Sequence, residues 1–308
     1  MKIWFSRGLP DHLAGSLGEH AAVGPAVEER LGAHGAIAGG ELYDAAVFDA
    51  HPDLRVVARM GIGVDAVDLV AATERGVLIT NTPEGPTTST AEHTIALTMA
   101  VTHELKASAE RLRRAEGDYV SSQQSMELAG RTLGLVGCGR IGGAVARIAE
   151  AIGMHVLITD PARSDSVPLE RLLGEADVVS LHCPATPSTI GLIDSAALAA
   201  MKSGAVLINC ARGSVVNTDD LVAALESGHL MGAGLDVTEP EPLDPDHPLL
   251  HMPNVIVTPH IASNTVAGRE RMERMALEQM LVALAGDRPT ELVNTDVWNA
   301  GDTEEGTP

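Results

Sequence analysis

Three side chains in the second half of the chain could between them handle a proton and an anion. Arg212 stands in Asn209-Cys210-Ala211-Arg212-Gly213, Glu241 in Asp236-Val237-Thr238-Glu239-Pro240-Glu241-Pro242, and His260 in Thr258-Pro259-His260-Ile261. A guanidinium is permanently charged and offers a two-pronged donor to a carboxylate and an adjacent carbonyl oxygen. An imidazole titrates near neutrality, so it can give a proton in one direction of a reaction and take it back in the other. A carboxylate bonded to the second ring nitrogen would orient that imidazole. Alone, each type is commonplace: a loop Arg is often a solvated charge, Glu-Pro often only a turn, a lone His seldom reactive. Their common placement matters more.

Each follows a short apolar run: residues 205–209 before Arg212, 232–236 before Glu241 and 255–258 before His260. With similar runs at 133–136, 155–159 and 178–182, six strands are expected. Helical segments separate most of them, as parallel pairing requires. Ligands of an open parallel sheet gather outside the carboxyl ends of its strands. Neighbouring strands would therefore set all three side chains on one rim.

Residues 132–160 supply the other half of the argument. They read TLGLVGCGRIGGAVARIAEAIGMHVLITD: an apolar strand, a turn with Gly137, Gly139 and Gly142, a helix with one apolar face, a second strand and Asp160. Gly137 would allow the tight turn, Gly139 the approach of a diphosphate, and Gly142 close packing of helix on strand. The helix start favours an anion. Asp160 could accept both hydroxyls of an adenosine ribose and would repel a 2′-phosphate, so NAD is expected and NADP less so. Arg163, three residues on, could soften that preference. With a hydride carrier in place, the Arg, Glu and His form the set needed to interconvert a 2-keto acid and a 2-hydroxy acid.

The 308 residues allow one or two domains, and the 45% apolar and 20% charged composition is that of a soluble globular protein. Six aromatic residues leave the core to Ala, Val, Leu, Ile and Met. The formal charge of −21 disfavours nucleic acid and anionic membrane as partners. Cys138, Cys183 and Cys210 make no paired framework and suit a reducing cytoplasm; Cys138 reads as a small filler of the glycine turn. The opening residues lack the apolar core of a signal peptide, and no run approaches the length of a membrane span. Zinc-ligand spacing, a GxSxG elbow and a Walker loop are absent from the sequence.

Along the chain, strands are expected at 2–5, 35–38, 54–58 and 77–80, with one helix and a short strand within 11–35. The turn after 54–58 holds Arg59, Met60, Gly61, Ile62, Gly63 and Val64, and its backbone N–H groups could converge on a carboxylate. Ser89 and Glu92 have capping-box spacing, which predicts one long helix from 89 to about 115, then a loop. His93 and His103 in that helix are read as structural or interface residues. Further helices are expected from about Thr218, with Asp219 and Asp220 in its first turn, and from about 265 to 284, stopped by Gly286-Asp287-Arg288-Pro289. A solvated tail is expected at 301–308, and no long regulatory domain is expected.

With these residues in view, the chain resembles the D-isomer-specific 2-hydroxyacid dehydrogenases over nearly its full length. The resemblance runs through 59–68, Asn81-Thr82-Pro83, Ala91-Glu92-His93, 134–142, 209–213, 232–236, Glu241-Pro242, Asn254-Val255 and Pro259-His260. It implies catalytic Arg212, Glu241 and His260, with the substrate carboxylate held at Met60, Gly61, Ile62 and Gly63. It implies a cofactor site of Gly137, Gly139, Arg140, Ile141, Gly142, Asp160, His182, Cys210, Ala211 and Asp236, the last near the nicotinamide amide. It also implies a cytoplasmic homodimer whose two domains close over the substrate. The expected architecture is α/β: a Rossmann-type doubly wound parallel sheet at 99–285, and a smaller flavodoxin-like α/β substrate domain at 1–98 and 286–308. Three departures from the family pattern stand out: His103 replaces a frequent Arg, the loop at Tyr119 lacks a frequent Trp, and Asn217 is often acidic. Phosphite oxidation is a rival on the same scaffold. Formate oxidation fits less well, because formate dehydrogenases of this fold carry Gln where Glu241 stands. An NAD(H)-sensing corepressor-like protein is the rival outside enzymology.

Overall fold

The computed structural model describes residues 1–115, 117, 118, 120 and 123–301. Tyr119 and the tail at 302–308 lie outside the described residues. The strands are β1 (Lys2–Phe5), β2 (Ala21–Val23), β3 (Gly35–Ala38), β4 (Val56–Arg59), β5 (Leu78–Thr80), β6 (Thr132–Val136), β7 (His155–Thr159), β8 (Val178–Leu181), β9 (Ala205–Asn209), β10 (Leu230–Leu235) and β11 (Val255–Val257). The α-helices are α1 (Ala45–Ala50), α2 (Leu69–Glu74), α3 (Thr87–Thr102), α4 (Leu105–Arg114), α5 (Arg140–Ala151), α6 (Leu169–Glu175), α7 (Ser195–Ala200), α8 (Thr218–Glu226), α9 (Pro248–His251), α10 (Val266–Leu284) and α11 (Asp296–Gly301). No described helix is long and apolar enough to cross a membrane.

The chain divides into two compact units, residues 1–86 with 265–308, and residues 87–264. The first holds a parallel sheet of order β2-β1-β3-β4-β5, the flavodoxin-like order. The second holds a parallel sheet of order β11-β10-β9-β8-β6-β7. In this sheet the chain runs from β6 outward to β7, then crosses back to β8 on the other side of β6. The crevice between the ends of β6 and β8 is thus the switch point where ligands of such sheets bind.

The unit boundaries fall at 86/87 and 264/265, not at the 98/99 and 285/286 expected from sequence. Burial explains both shifts. Ala91, Ile95, Leu97 and Val101 of α3 pack with Leu133, Leu135, Val206 and Ile208 in the core of the second unit. Ala276, Leu277, Met280 and Leu284 of α10 pack with Ile3, Ile37 and Val56 in the core of the first.

Three local expectations are corrected. Residues 11–35 hold two short 3-10 helices, Asp11–Ser16 and Val27–Arg30, around β2 rather than an α-helix. The long helix from 89 is two helices, because Glu104 adopts a left-handed backbone at φ 51 between α3 and α4. It also begins at Thr87, so Ser89 is buried inside the first turn and does not cap it. Two other helix starts follow the expectation. Asn217 accepts from the Asp220 N–H to cap α8, and Thr265 accepts from the Gly268 N–H to cap α10. Met60, Gly61, Ile62 and Gly63 follow β4 in the first unit. There the Met60 N–H is donated to the Ala38 carbonyl, and the Gly61 N–H to Thr82 Oγ1 at 2.7 Å.

Candidate active site

The end of β6 is shaped by what its glycines lack. Gly137 has φ +89, and a side chain there would meet the backbone of His182 and Cys183, the first residues after β8, at 2.8 Å. A side chain at Gly142 would run into the Gly137 carbonyl oxygen. These two contacts bring the turn, α5 and the β8 end together with no room for another carbon. Gly139 differs, since nothing lies within 4 Å of where its Cβ would be. It is the N-cap of α5 and provides no side-chain cap, and a helix start of this kind suits an anion. Arg140 and Ile141 form the first turn of α5.

Asp160 lies just past β7. Its carboxylate accepts from the Cys138 N–H at 2.7 Å and the Ala162 N–H at 2.9 Å. These backbone hydrogen bonds hold it below the usual carboxylate range, so it is ionised at neutral pH. Each oxygen retains a lone pair for a further donor such as a sugar hydroxyl. Across the switch point, His182 shares a hydrogen bond with Ser180 Oγ through Nε2 at 2.9 Å, while its buried Nδ1 has no partner among the described residues. Burial lowers the imidazole to about 4, so His182 is neutral. A glycine cradle, an uncapped helix start, an ionised acid at the second strand tip and an orphaned buried nitrogen suit an adenine dinucleotide. Cys210 is half-buried after β9, its thiol pushed up to about 12 by burial.

The proton-handling residues are held by longer-range contacts. Buried Asn209 ends β9 and clasps the following loop: its amide donates to the Arg212 carbonyl at 2.8 Å and its side-chain oxygen accepts from the Ala211 N–H at 3.0 Å. Arg212 extends from that loop, with Nη1 donating to the Ala211 carbonyl at 2.7 Å. A side chain on Gly213 would overlap the Thr238 carbonyl, so the Arg212 loop lies directly on the loop that carries Glu241. Thr218 Oγ1 adds a bond to the Glu239 carbonyl at 2.6 Å.

Glu241 meets His260 directly: Oε1 lies 2.7 Å from Nδ1. The other ring nitrogen, Nε2, makes no hydrogen bond among the described residues, and the side chain is half exposed. His260 itself has a left-handed backbone at φ 54, a conformation that costs a non-glycine residue energy and needs support. Asp236 provides the support. Its backbone carbonyl accepts from the His260 N–H at 2.8 Å, and its carboxylate accepts from the N–H groups of Ile261 at 2.9 Å and Ala262 at 2.8 Å and from Thr258 Oγ1 at 2.6 Å. Burial alone would raise this acid, yet the nearby His93 ring and the hydrogen bonds from Thr258, Ile261 and Ala262 outweigh it and keep its carboxyl below the ordinary range.

His93 of α3 completes this cluster, with Nε2 3.1 Å from Thr258 Oγ1 and 3.4 Å from Asp236 Oδ1. Because the Thr258 hydroxyl donates to Asp236, its oxygen is left to accept from the His93 Nε2–H. The sequence alone points to a structural or interface role for His93 and gives Thr258 no role. The available signal was faint: Thr258 stands two residues before His260.

Residues 95–262 match the family model described as D-isomer specific 2-hydroxyacid dehydrogenase, NAD binding domain. That match covers more than half of the chain. This chain belongs to the D-isomer specific 2-hydroxyacid dehydrogenase family. It is an NAD-dependent oxidoreductase on an α/β, Rossmann-like scaffold, as the sequence reading expected. Among its relatives, a glyoxylate reductase of Korarchaeum cryptofilum is 43% identical over 268 residues, spanning 82% of this chain and 80% of that one. A D-3-phosphoglycerate dehydrogenase of Mycobacterium leprae is 42% identical over 262 residues, but these span only 49% of that longer protein. The crystal structure of the TT0316 protein from Thermus thermophilus superposes with a TM-score of 0.88 at 43% identity, covering 95% of this dehydrogenase and 100% of that chain.

Proposed function

We propose that the chain interconverts a small D-2-hydroxy acid and its 2-keto acid, with His260 exchanging the proton on the substrate oxygen. The observation that carries this reading is the 2.7 Å contact between Glu241 Oε1 and His260 Nδ1. It fixes the ring, makes Nδ1 the donor to Glu241 and turns Nε2 into the working atom. In reduction, Nε2–H gives its proton to the carbonyl oxygen; in oxidation, Nε2 takes the proton of the hydroxyl. Bound NAD(H) supplies or removes the hydride at the substrate carbon. Arg212 pairs with the carboxylate and carbonyl oxygens and draws electron density from the reacting carbon. Asp236 acts through position, since its carboxylate is engaged by the turn that carries His260.

For the carboxylate grip at 60–63, the N–H groups of Met60 and Gly61 are already used within the first unit, so the role passes to Ile62 and Gly63. Gly137, Gly139, Arg140, Ile141, Gly142, Asp160, His182, Cys210 and Ala211 form the proposed dinucleotide site. A short keto acid such as glyoxylate is favoured, because the glyoxylate reductase relative matches along most of both chains. We further propose a cytoplasmic homodimer, for which the exposed apolar Leu105 and Leu112 of α4 provide contact surface.

The deciding experiment incubates the protein with NADH and a panel of glyoxylate, hydroxypyruvate, pyruvate and longer keto acids. Oxidation of NADH with the shortest members is expected. Saturable NADH binding without turnover of any of them would defeat the proposal.

A further inference from the structure

Just beyond Asp160 the chain makes a tight turn. The Arg163 N–H donates to the Asp160 carbonyl at 3.1 Å, and Ser166 Oγ accepts from the Asp160 N–H at 3.0 Å. Within this turn Arg163 grips Asp165 with two donors at once, Nε to Oδ1 and Nη2 to Oδ2, each at 2.7 Å. Those are the two parallel N–H groups with which an arginine would chelate a phosphate. Arg163 is also a cation that the sequence places beside the ribose acid and that could welcome a 2′-phosphate. Hydrogen bonding and charge attraction from Asp165 raise the guanidinium above its ordinary value, with a smaller pull from the nearby Asp160.

We propose that Asp165 is a selectivity residue for the dinucleotide: it occupies the phosphate-chelating fork of Arg163, so that a 2′-phosphate meets two carboxylates and an arginine already engaged. This rests on the reading of Asp160 as the ribose acid and extends it. Discrimination against NADP has two layers. Asp160 repels the extra phosphate directly, and Asp165 withholds the nearby cation that would otherwise offset the repulsion. The pair joins residues two apart in sequence, so it forms within the turn itself. Both side chains are exposed, so either can be replaced without disturbing the core.

Isothermal titration calorimetry with NADH and with NADPH tests this on the intact protein, using Asp165→Asn, Arg163→Gln and the double variant. Asp165→Asn is expected to tighten NADPH binding by roughly fivefold, the upper range for one exposed ion pair, and to leave NADH within about twofold. Arg163→Gln alone should leave NADPH binding within about twofold, because the fork is already engaged; in the double variant the gain should vanish. Raising the salt should shrink the gain. Unchanged NADPH affinity in Asp165→Asn, with NADH binding intact, would overturn the proposal, as would a gain that persists in the double variant. Asp160→Ala run alongside separates the two layers. NADH binding as tight as the parent's there would remove the ribose reading, and the role of Asp165 with it.

Discussion

The dinucleotide cradle and the His260 turn are built on opposite principles. The cradle, between β6 and Asp160, is contiguous in sequence and is held by missing atoms: Gly137 and Gly142 leave no space for a methyl group, and Asp160 closes the turn through the backbone of Cys138. The His260 turn is held by present atoms drawn from far apart. Asp236, Glu241 and Thr258 contribute from their loops, and His93 reaches it from a helix 165 residues earlier. The first region is set mainly by sterics, which tolerate little, with one charged acceptor at its end. The second is set by hydrogen bonds to a buried carboxylate, which tolerate shape changes but not the loss of the acceptor.

Substitutions can break this contrast, beginning with the largest effect. His260→Ala should lower turnover by roughly 10²–10⁴-fold. NADH affinity, measured by calorimetry, should stay near the parent value, because the cradle is independent of the turn.

Asp236→Ala should come next. It strands the donors of Thr258, Ile261 and the buried Ala262 N–H, so urea unfolding should show a loss of about 2–4 kcal/mol, with turnover falling as His260 loses its clamp. The acid side of the stability profile sharpens this. The carboxyls of Asp236 and Asp160 are depressed in the folded state. Their stabilisation is therefore fully present above the ordinary Asp range near ~3.9, and is lost as pH falls through the folded values. Urea midpoints taken between neutral and acid pH should fall steeply at the acid end, and less so in Asp236→Asn.

Asp160→Ala should weaken NADH by on the order of tenfold, the worth of a charge-assisted hydrogen bond, with a smaller loss of urea stability than Asp236→Ala, because its carboxylate is more exposed. Equal NADH and NADPH affinities in this variant would show that electrostatics dominate the cradle after all.

The smallest effect is expected at His93. Leu in its place should lower turnover by roughly fivefold, about one neutral hydrogen bond, whereas Gln, which can still donate to Thr258, should restore most of it. A loss identical in both variants would point to packing alone.

The cradle was legible because each requirement is local. Strand, glycine spacing, apolar helix face and terminal acid all fall within thirty residues, and the structure gives Gly137 a positive φ, Gly142 no room for a side chain and Asp160 two backbone donors. The Glu241–His260 contact could be anticipated from chemistry and strand order, although its distance could not. Asp236 was read by family resemblance as a neighbour of the nicotinamide, and nothing in its surroundings in sequence hints at the clamp it makes. The split of one expected helix at Glu104 was hidden too, since a left-handed residue that is not glycine leaves no mark in composition.

The sequence by itself determined the strands, the glycine turn, the ionised acid at its end and the reactive residue types, because backbone sterics and periodic burial act over a few residues. Only the tertiary structure decided the rest. It assigned α3 and α10 to opposite units, made His93 a partner of Asp236, and gave the His260 backbone the hydrogen bonds that support its left-handed turn. Those outcomes depend on which distant segments share a core, and the physical reason is plain: a buried carboxylate takes its donors from whatever the fold brings within 3 Å or so, not from its neighbours in the chain.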